Sequence, residues 1–168
     1  MIIAGKIHKE KKEWDLALDF FEQVLDMDMD NVYVHITIGE IYTAKQQFNM
    51  AHISLQSALE IDPQNKNVLI KVGIVYLQAK KFEEAKSCFQ KATLIDPNDP
   101  SAWMWRGRLE YDRKNIEEAK ICFEHALDIN QNYSLAWAGL GRVYFELKDF
   151  AEAKKCLQRA TELAKSGT

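Results

Sequence analysis

The sequence predicts an all-α fold assembled from repeated helix pairs. Three observations predict it: a 34-residue period along the whole chain, apolar residues at i, i+3, i+4 and i+7 within each period, and no stretch with strand-like alternation. Five of the seven glycines, Gly5, Gly39, Gly73, Gly107 and Gly141, are spaced 34 residues apart. The same step joins Ala17, Ala51, Ala85, Ala119 and Ala153. It also joins Phe21, Leu55, Phe89, Phe123 and Leu157, and then Trp14, Phe48, Phe82, Ile116 and Phe150.

Taken in order, the units are 1–31, 32–65, 66–99, 100–133 and 134–168. The first begins inside a helix, because Met1 falls where later units have His35, Leu69, Trp103 and Trp137. Its second helix carries Trp14, Ala17, Phe21 and Val24. In the second unit, Phe48, Ala51, Leu55 and Ala58 form the matching stripe. The third shows both helices most plainly: Leu69, Val72, Gly73 and Tyr76 line one face, and Phe82, Ala85, Phe89 and Ala92 another. Asp-Pro at Pro63 and Pro97 breaks the chain between units, since proline cannot donate within a helix and restricts its predecessor. "KK", "KN" and "KD" fill the short turns inside units. The fourth unit departs from the pattern, with Arg106 in the column of Ile38, Val72 and Leu140 and Glu110 in the column of Tyr42, Tyr76 and Tyr144. Four residues apart, they are expected to pair. The fifth unit ends at Thr168 with nothing after it to cover Leu157. The reading is a piece of a longer protein, or a chain whose ends pack on another copy, that is, end-to-end self-association.

Bulk composition narrows the function. A chain of 168 residues with 47% hydrophobic and 28% charged residues has enough material for a real core. The net charge of -3 argues against nucleic acid as a partner. No apolar run is long enough to cross a membrane. Three widely spaced cysteines fit a reducing, cytoplasmic compartment better than a disulfide framework.

The columns Trp137, Leu140, Gly141, Tyr144, Phe150, Ala153, Leu157 and Ala160 resemble the tetratricopeptide repeat, a 34-residue helix–turn–helix unit. The resemblance spans essentially the whole chain in five tandem units. It implies a right-handed α-solenoid whose first helices line a concave groove, and a groove that holds a peptide or helix of a protein partner.

On that arrangement the groove collects Ile70, Lys71 and Ile74 from the third unit, Met104, Trp105, Arg108 and Tyr111 from the fourth, and Arg142 and Phe145 from the fifth. Trp103 and Trp137 belong to the core column. Trp105, two residues from Trp103, points elsewhere. Ala138 and Gly139 leave a recess beside it. Trp, Tyr and Arg dominate binding hot spots, so these residues predict an apolar and partly acidic partner segment. The plainer alternatives stay open: Trp105 packs on its own neighbours, and Arg108 and Arg142 pair with Asp112 and Glu146, four residues on.

Other constellations fail. Cys88, Cys122 and Cys156 are one repeat column, too far apart for a disulfide or a shared metal. The four histidines fall in different columns. "DMDMDN" (26–31) lacks the glycine and closing glutamate of a calcium loop. No phosphate-cradling loop exists, and carboxylates sit beside lysines on solvated faces. No cofactor and no enzymatic activity are expected. The resemblance would also allow a chaperone-tail clamp, but its basic and amide set is missing, as is the asparagine ladder of the sugar-transferase members. The prediction is a protein-interaction scaffold. The alternatives are an architectural segment of a longer solenoid in a multi-subunit assembly, or a recruiting module joined to an enzyme outside this chain.

Overall fold

The computed structural model describes residues 1–166; the last two residues of the predicted unit 134–168 lie outside them. The described residues hold ten α-helices and no strand. The chain divides into two compact units, Met1–Lys80 and Lys81–Thr168.

The first unit contains α1 (Ile2–Glu10), α2 (Trp14–Leu25), α3 (Val32–Ala44), α4 (Phe48–Ile61) and α5 (Lys66–Gln78). Asn31 and Asn65 cap α3 and α5, each accepting a hydrogen bond from the backbone N–H three residues on, at 3.1 and 3.2 Å. Helices α1 and α2 pack as a pair, as do α3 and α4, and consecutive pairs join through α2–α3 and α4–α5. Val34, Ile38 and Ile41 of α3 enter a core with Ala17, Leu18, Phe21 and Val24 of α2. Gly39 lets α3 approach α4 closely: a Cβ there would sit 2.6 Å from Leu55 Cγ.

The second unit contains α6 (Phe82–Ile95), α7 (Pro100–Asp112), α8 (Ile116–Ile129), α9 (Ser134–Glu146) and α10 (Phe150–Ser166). Asp99 caps α7 through the Ser101 N–H at 2.9 Å, and Pro100 takes the first helical turn, where no N–H is needed. Helices α7 and α8 pair, as do α9 and α10, with joints at α6–α7 and α8–α9. Met104, Phe123, Ala126, Leu127, Ala136, Leu140 and Val143 share one buried core.

A second 34-residue column emerges only in the structure. Lys12, Gln46, Lys80, Lys114 and Lys148 all adopt left-handed φ values, between 58° and 68°. Each follows the first helix of a pair. The Lys148 N–H donates to Phe145 O at 3.0 Å and the Asp149 N–H to Tyr144 O at 2.9 Å, which closes the helix end as a Schellman motif. A non-glycine residue held in this region costs about 1–2 kcal/mol. Glycine removes that strain but adds about 0.5–1 kcal/mol of unfolded-chain entropy. Lys148→Gly is therefore expected to stabilise the protein by roughly 0.5–1 kcal/mol, read as a rise in the thermal unfolding midpoint. An unchanged or lower midpoint contradicts this account.

The predicted Arg106–Glu110 pair does not form. Arg106 reaches across to Glu118 of α8 at 3.0 Å, and its guanidinium lies 5.2 Å from the centre of the Trp103 ring. Glu110, only 2% exposed, accepts a hydrogen bond from Asn115 Nδ2 at 2.7 Å. The two side chains leave α7 toward different neighbours, and each finds its partner there.

Trp103 and Trp137 also differ from their expected core role. Both are half-buried. Their indole N–H groups donate to the carbonyls of Pro97 and Gln131, each at 2.8 Å. An indole N–H needs an acceptor when covered, and the turn six residues back supplies one. His35, in the same column, makes the equivalent contact with Met29 O at 2.8 Å. The column therefore fastens α3, α7 and α9 to the turns before them, while its member on α5, Leu69, has no side-chain donor.

Candidate partner-binding site

Helices α7 and α9 touch directly, so side chains from both line one face of the second unit. A cavity of about 250 Å³ opens there, lined by Met104, Trp105, Arg108, Tyr111, Phe123, Leu135, Ala138, Gly139 and Arg142. The floor is apolar. Phe123 rises from α8 with its ring held against Gly139, where a Cβ would fall only 2.5 Å from ring carbon Cε1. Small residues at 138 and 139 therefore create the recess, as their sizes suggest.

Trp105 is half-buried, with one face parallel to Phe89 at 6.5 Å between ring centres. The indole is thus propped from behind and presents its remaining surface to the cavity. Met104 is buried and belongs to the core cluster, so it supplies floor and not a free anchor. It shares that cluster with Phe123 and Leu127 of α8 and Ala136 and Leu140 of α9.

The rim is charged. Arg108 Nε donates to both carboxylate oxygens of Asp112 at 3.1 Å, the predicted intrahelical pair. The predicted Arg142–Glu146 pair is replaced by a three-residue cluster. Tyr111 donates its hydroxyl to Glu146 Oε1 at 3.0 Å, and the Arg142 guanidinium lies 4.9 Å from the Tyr111 ring centre. Lys114 adds a longer contact to Glu146 at 3.8 Å. Burial and the Glu146 carboxylate both push the Tyr111 hydroxyl above its ordinary pKa, so it stays a donor. Arg142 is exposed and its guanidinium stands over the Tyr111 ring; a guanidinium is the cation best shaped to bind a carboxylate through two hydrogen bonds.

Of the other predicted residues, Phe145 does not join this cavity. It is exposed and meets Phe150 edge-on at 5.5 Å, beside α10. Leu135, in the first turn of α9, lines the cavity instead. Sequence reasoning missed it. The available signal was a large apolar residue in a column otherwise holding Tyr33, Asn67 and Ser101.

Ile70, Lys71 and Ile74 belong to α5 in the first unit. Ile70 is buried and Ile74 half-buried. Lys71 is committed to Glu40 of α3, which also pairs with Lys9 of α1. One carboxylate thus ties three successive first helices. Burial alone would raise the Glu40 pKa, but hydrogen bonds and attraction from Lys71 and Lys9 outweigh it, holding it below the ordinary 4.5. A depressed folded-state pKa adds stability above the unfolded value, and that stability disappears as pH falls through the folded one. Glu40→Gln is therefore expected to lower stability at neutral pH, with the gap to the parent closing as pH drops below 4.5. Denaturant titrations across pH test this. A gap that stays constant into acid would show that the bridge contributes no linkage.

The thiolate form of all three cysteines is disfavoured by burial. Burial pushes the Cys88 thiol up to about 11 and Cys122 to about 12, and raises Cys156 as well. No helix among the described residues is long and apolar enough to cross a membrane.

The fold is similar to several solved structures. One is a thermophilic TPR protein in Thermus thermophilus, with TM-score 0.85 and 16% identity over 98% of this chain and 90% of that one. MamA gives 0.76 and 20%, over 97% and 95%. YrrB, a TPR protein with an unusual peptide-binding site, gives 0.66 and 20%, over 96% and 84%. No curated protein matches the chain. Residues 32–65, 73–136 and 134–166 match family descriptions that all read Tetratricopeptide repeat. Repeated helix pairs, a glycine column that draws paired helices together and these three matches have one explanation: the chain belongs to the tetratricopeptide repeat family.

Proposed function

We propose that the chain, read as five tandem hairpins, docks an extended or helical segment of a partner protein on the α7–α9 face. The fold is one of protein-interaction scaffolds in general. The finer reading places one apolar side chain of the partner in the cavity beside Trp105. Acidic groups on the same segment meet Arg142 and, by exchange with Asp112, Arg108. The role is binding and not catalysis, in a cytoplasmic setting. The single observation that carries it is the cavity itself: an apolar floor of Phe123 and Met104, an indole wall propped by Phe89, and guanidinium groups on the rim. YrrB, whose likeness is one of fold, is described as having a peptide-binding site, which agrees with this use of the scaffold.

A random peptide display library panned on the purified protein tests the reading. The expected consensus joins one large apolar residue to one or two acidic residues. The selected peptide should bind Trp105→Ala at least about tenfold more weakly, as expected for an aromatic hot spot. Its affinity should fall further at high salt, because an exposed charge contact is screened. Equal binding to the parent and to Trp105→Ala would remove the site.

A further inference from the structure

Two helix pairs of this chain treat the same repeat columns differently. In the α7–α8 pair, Trp103 reaches back to the preceding turn through its bond to Pro97 O at 2.8 Å. Its indole lies flat on His125 of α8, with 4.1 Å between ring centres and 8° between ring planes. In the α3–α4 pair those two columns hold His35 and Ser57. His35 makes the matching backbone bond, to Met29 O at 2.8 Å. Its single ring is smaller than an indole, and Ser57 offers no ring to stack on. Both residues line a cavity of about 900 Å³. Leu25, Met29 and Ile61 give it apolar walls, and Met29 is 76% exposed. Asp26, Asp30 and Glu60 are exposed on its rim, and no lysine or arginine is among its lining residues.

We propose that this cavity takes a tryptophan side chain from a basic segment of a partner protein. The proposal does not depend on the reading of the α7–α9 face. The α7–α8 pair supplies the template for the occupant: there the chain itself sets an indole against the turn and the second helix. At the α3–α4 pair the indole comes from outside. Its ring meets the exposed thioether of Met29, and sulfur–aromatic contacts of this kind are favourable. Lysines or arginines beside the tryptophan face Asp26, Asp30 and Glu60, whereas an acidic segment is repelled by them. The guest is thus opposite in charge to the segment proposed for the α7–α9 face, and one chain can hold two partner segments of different chemistry.

Amide NMR of the isotope-labelled full chain, titrated with the synthetic peptide acetyl-Gly-Lys-Lys-Trp-Lys-Lys-Gly-amide, tests this. Saturable shifts should concentrate at Leu25, Met29, His35 and Ser57, and the affinity should fall at high salt. Alanine in place of the peptide's tryptophan should weaken binding at least about tenfold. Glutamates in place of its lysines should weaken it as well. On the protein side, His35→Trp rebuilds from within the plug seen at Trp103 and should abolish binding, with circular dichroism confirming unchanged helix content. The double variant Asp26→Lys with Glu60→Lys changes only exposed positions and should also lose the peptide, so it decides the matter if His35→Trp folds poorly. Four results overturn the proposal. Shifts at Trp105 and Arg142 in place of the cavity residues, or no shifts at all, would remove the site. Equal binding of the alanine peptide would leave only charge attraction. Undiminished binding to a folded His35→Trp would place the peptide elsewhere. Shifts at the cavity residues on raising the protein concentration without peptide would assign the cavity to a second copy of the chain.

Discussion

Phe123→Ala is expected to destabilise the protein by about 3–5 kcal/mol, the usual cost of emptying a phenylalanine site in a well-packed core. The ring is 2% exposed and is held from two sides. A Cβ added at Gly107 of α7 would sit 2.9 Å from it, and one at Gly139 of α9 would sit 2.5 Å away. Neither glycine can move in to refill the space without carrying its helix along. The cavity would be left largely unrelaxed, at the expensive end of large-to-small substitutions. Leu157 is the control. It occupies the same column but is substantially exposed, and Leu157→Ala should cost visibly less. Urea unfolding of the parent and both variants decides the matter. Equal losses at the two positions would mean that the joint between α8 and α9 does not grip the ring. Since Phe123 also forms the floor of the α7–α9 cavity, the variant should lose selected peptides together with stability.

Gly139→Ala is expected to cost about 2 kcal/mol, although alanine is the better helix former. Two effects oppose each other. Replacing glycine by alanine inside a helix gains about 1 kcal/mol of propensity. Overpacking a tight core costs about 1–3 kcal/mol. The contact at 2.5 Å is with a rigid aromatic ring that Gly107 blocks on its other side, so the steric term lies at the top of its range. The sign of the result is therefore diagnostic: stabilisation would show that α9 and Phe123 are not in tight contact. A double variant, Gly139→Ala with Phe123→Leu, should be more stable than the sum of the single effects, because the smaller side chain makes room for the new methyl group. Neighbouring residues that share one space couple in this way.

How far the sequence reaches can be followed residue by residue. A 34-residue period with apolar residues at helical spacing fixes where helices run and which face each turns inward, because burial repeats with the geometry of the repeat. The glycine column, the paired helices and the recess at Ala138 and Gly139 were legible on that ground alone. So was Trp105 standing apart from Trp103, since residues two apart on a helix diverge.

Long polar and aromatic side chains were not legible in the same way. Arg106 could reach Glu110 or Glu118, and only the position of α8 selects Glu118. Glu146 takes the Tyr111 hydroxyl from the neighbouring helix in place of Arg142 on its own. Glu40 gathers Lys9 and Lys71 from helices on either side. Phe145 turns toward Phe150, and Met104 sinks into the core. By itself the sequence determined the helices, the pairing of α1 with α2, α3 with α4, α7 with α8 and α9 with α10, and the glycine and alanine columns at their contacts, because a short repeat distance and the hydrophobic effect leave one consistent arrangement within each pair. Tertiary structure alone decided which charges meet and which edge of each ring is free. Those choices depend on distances between helices that no spacing along the chain encodes.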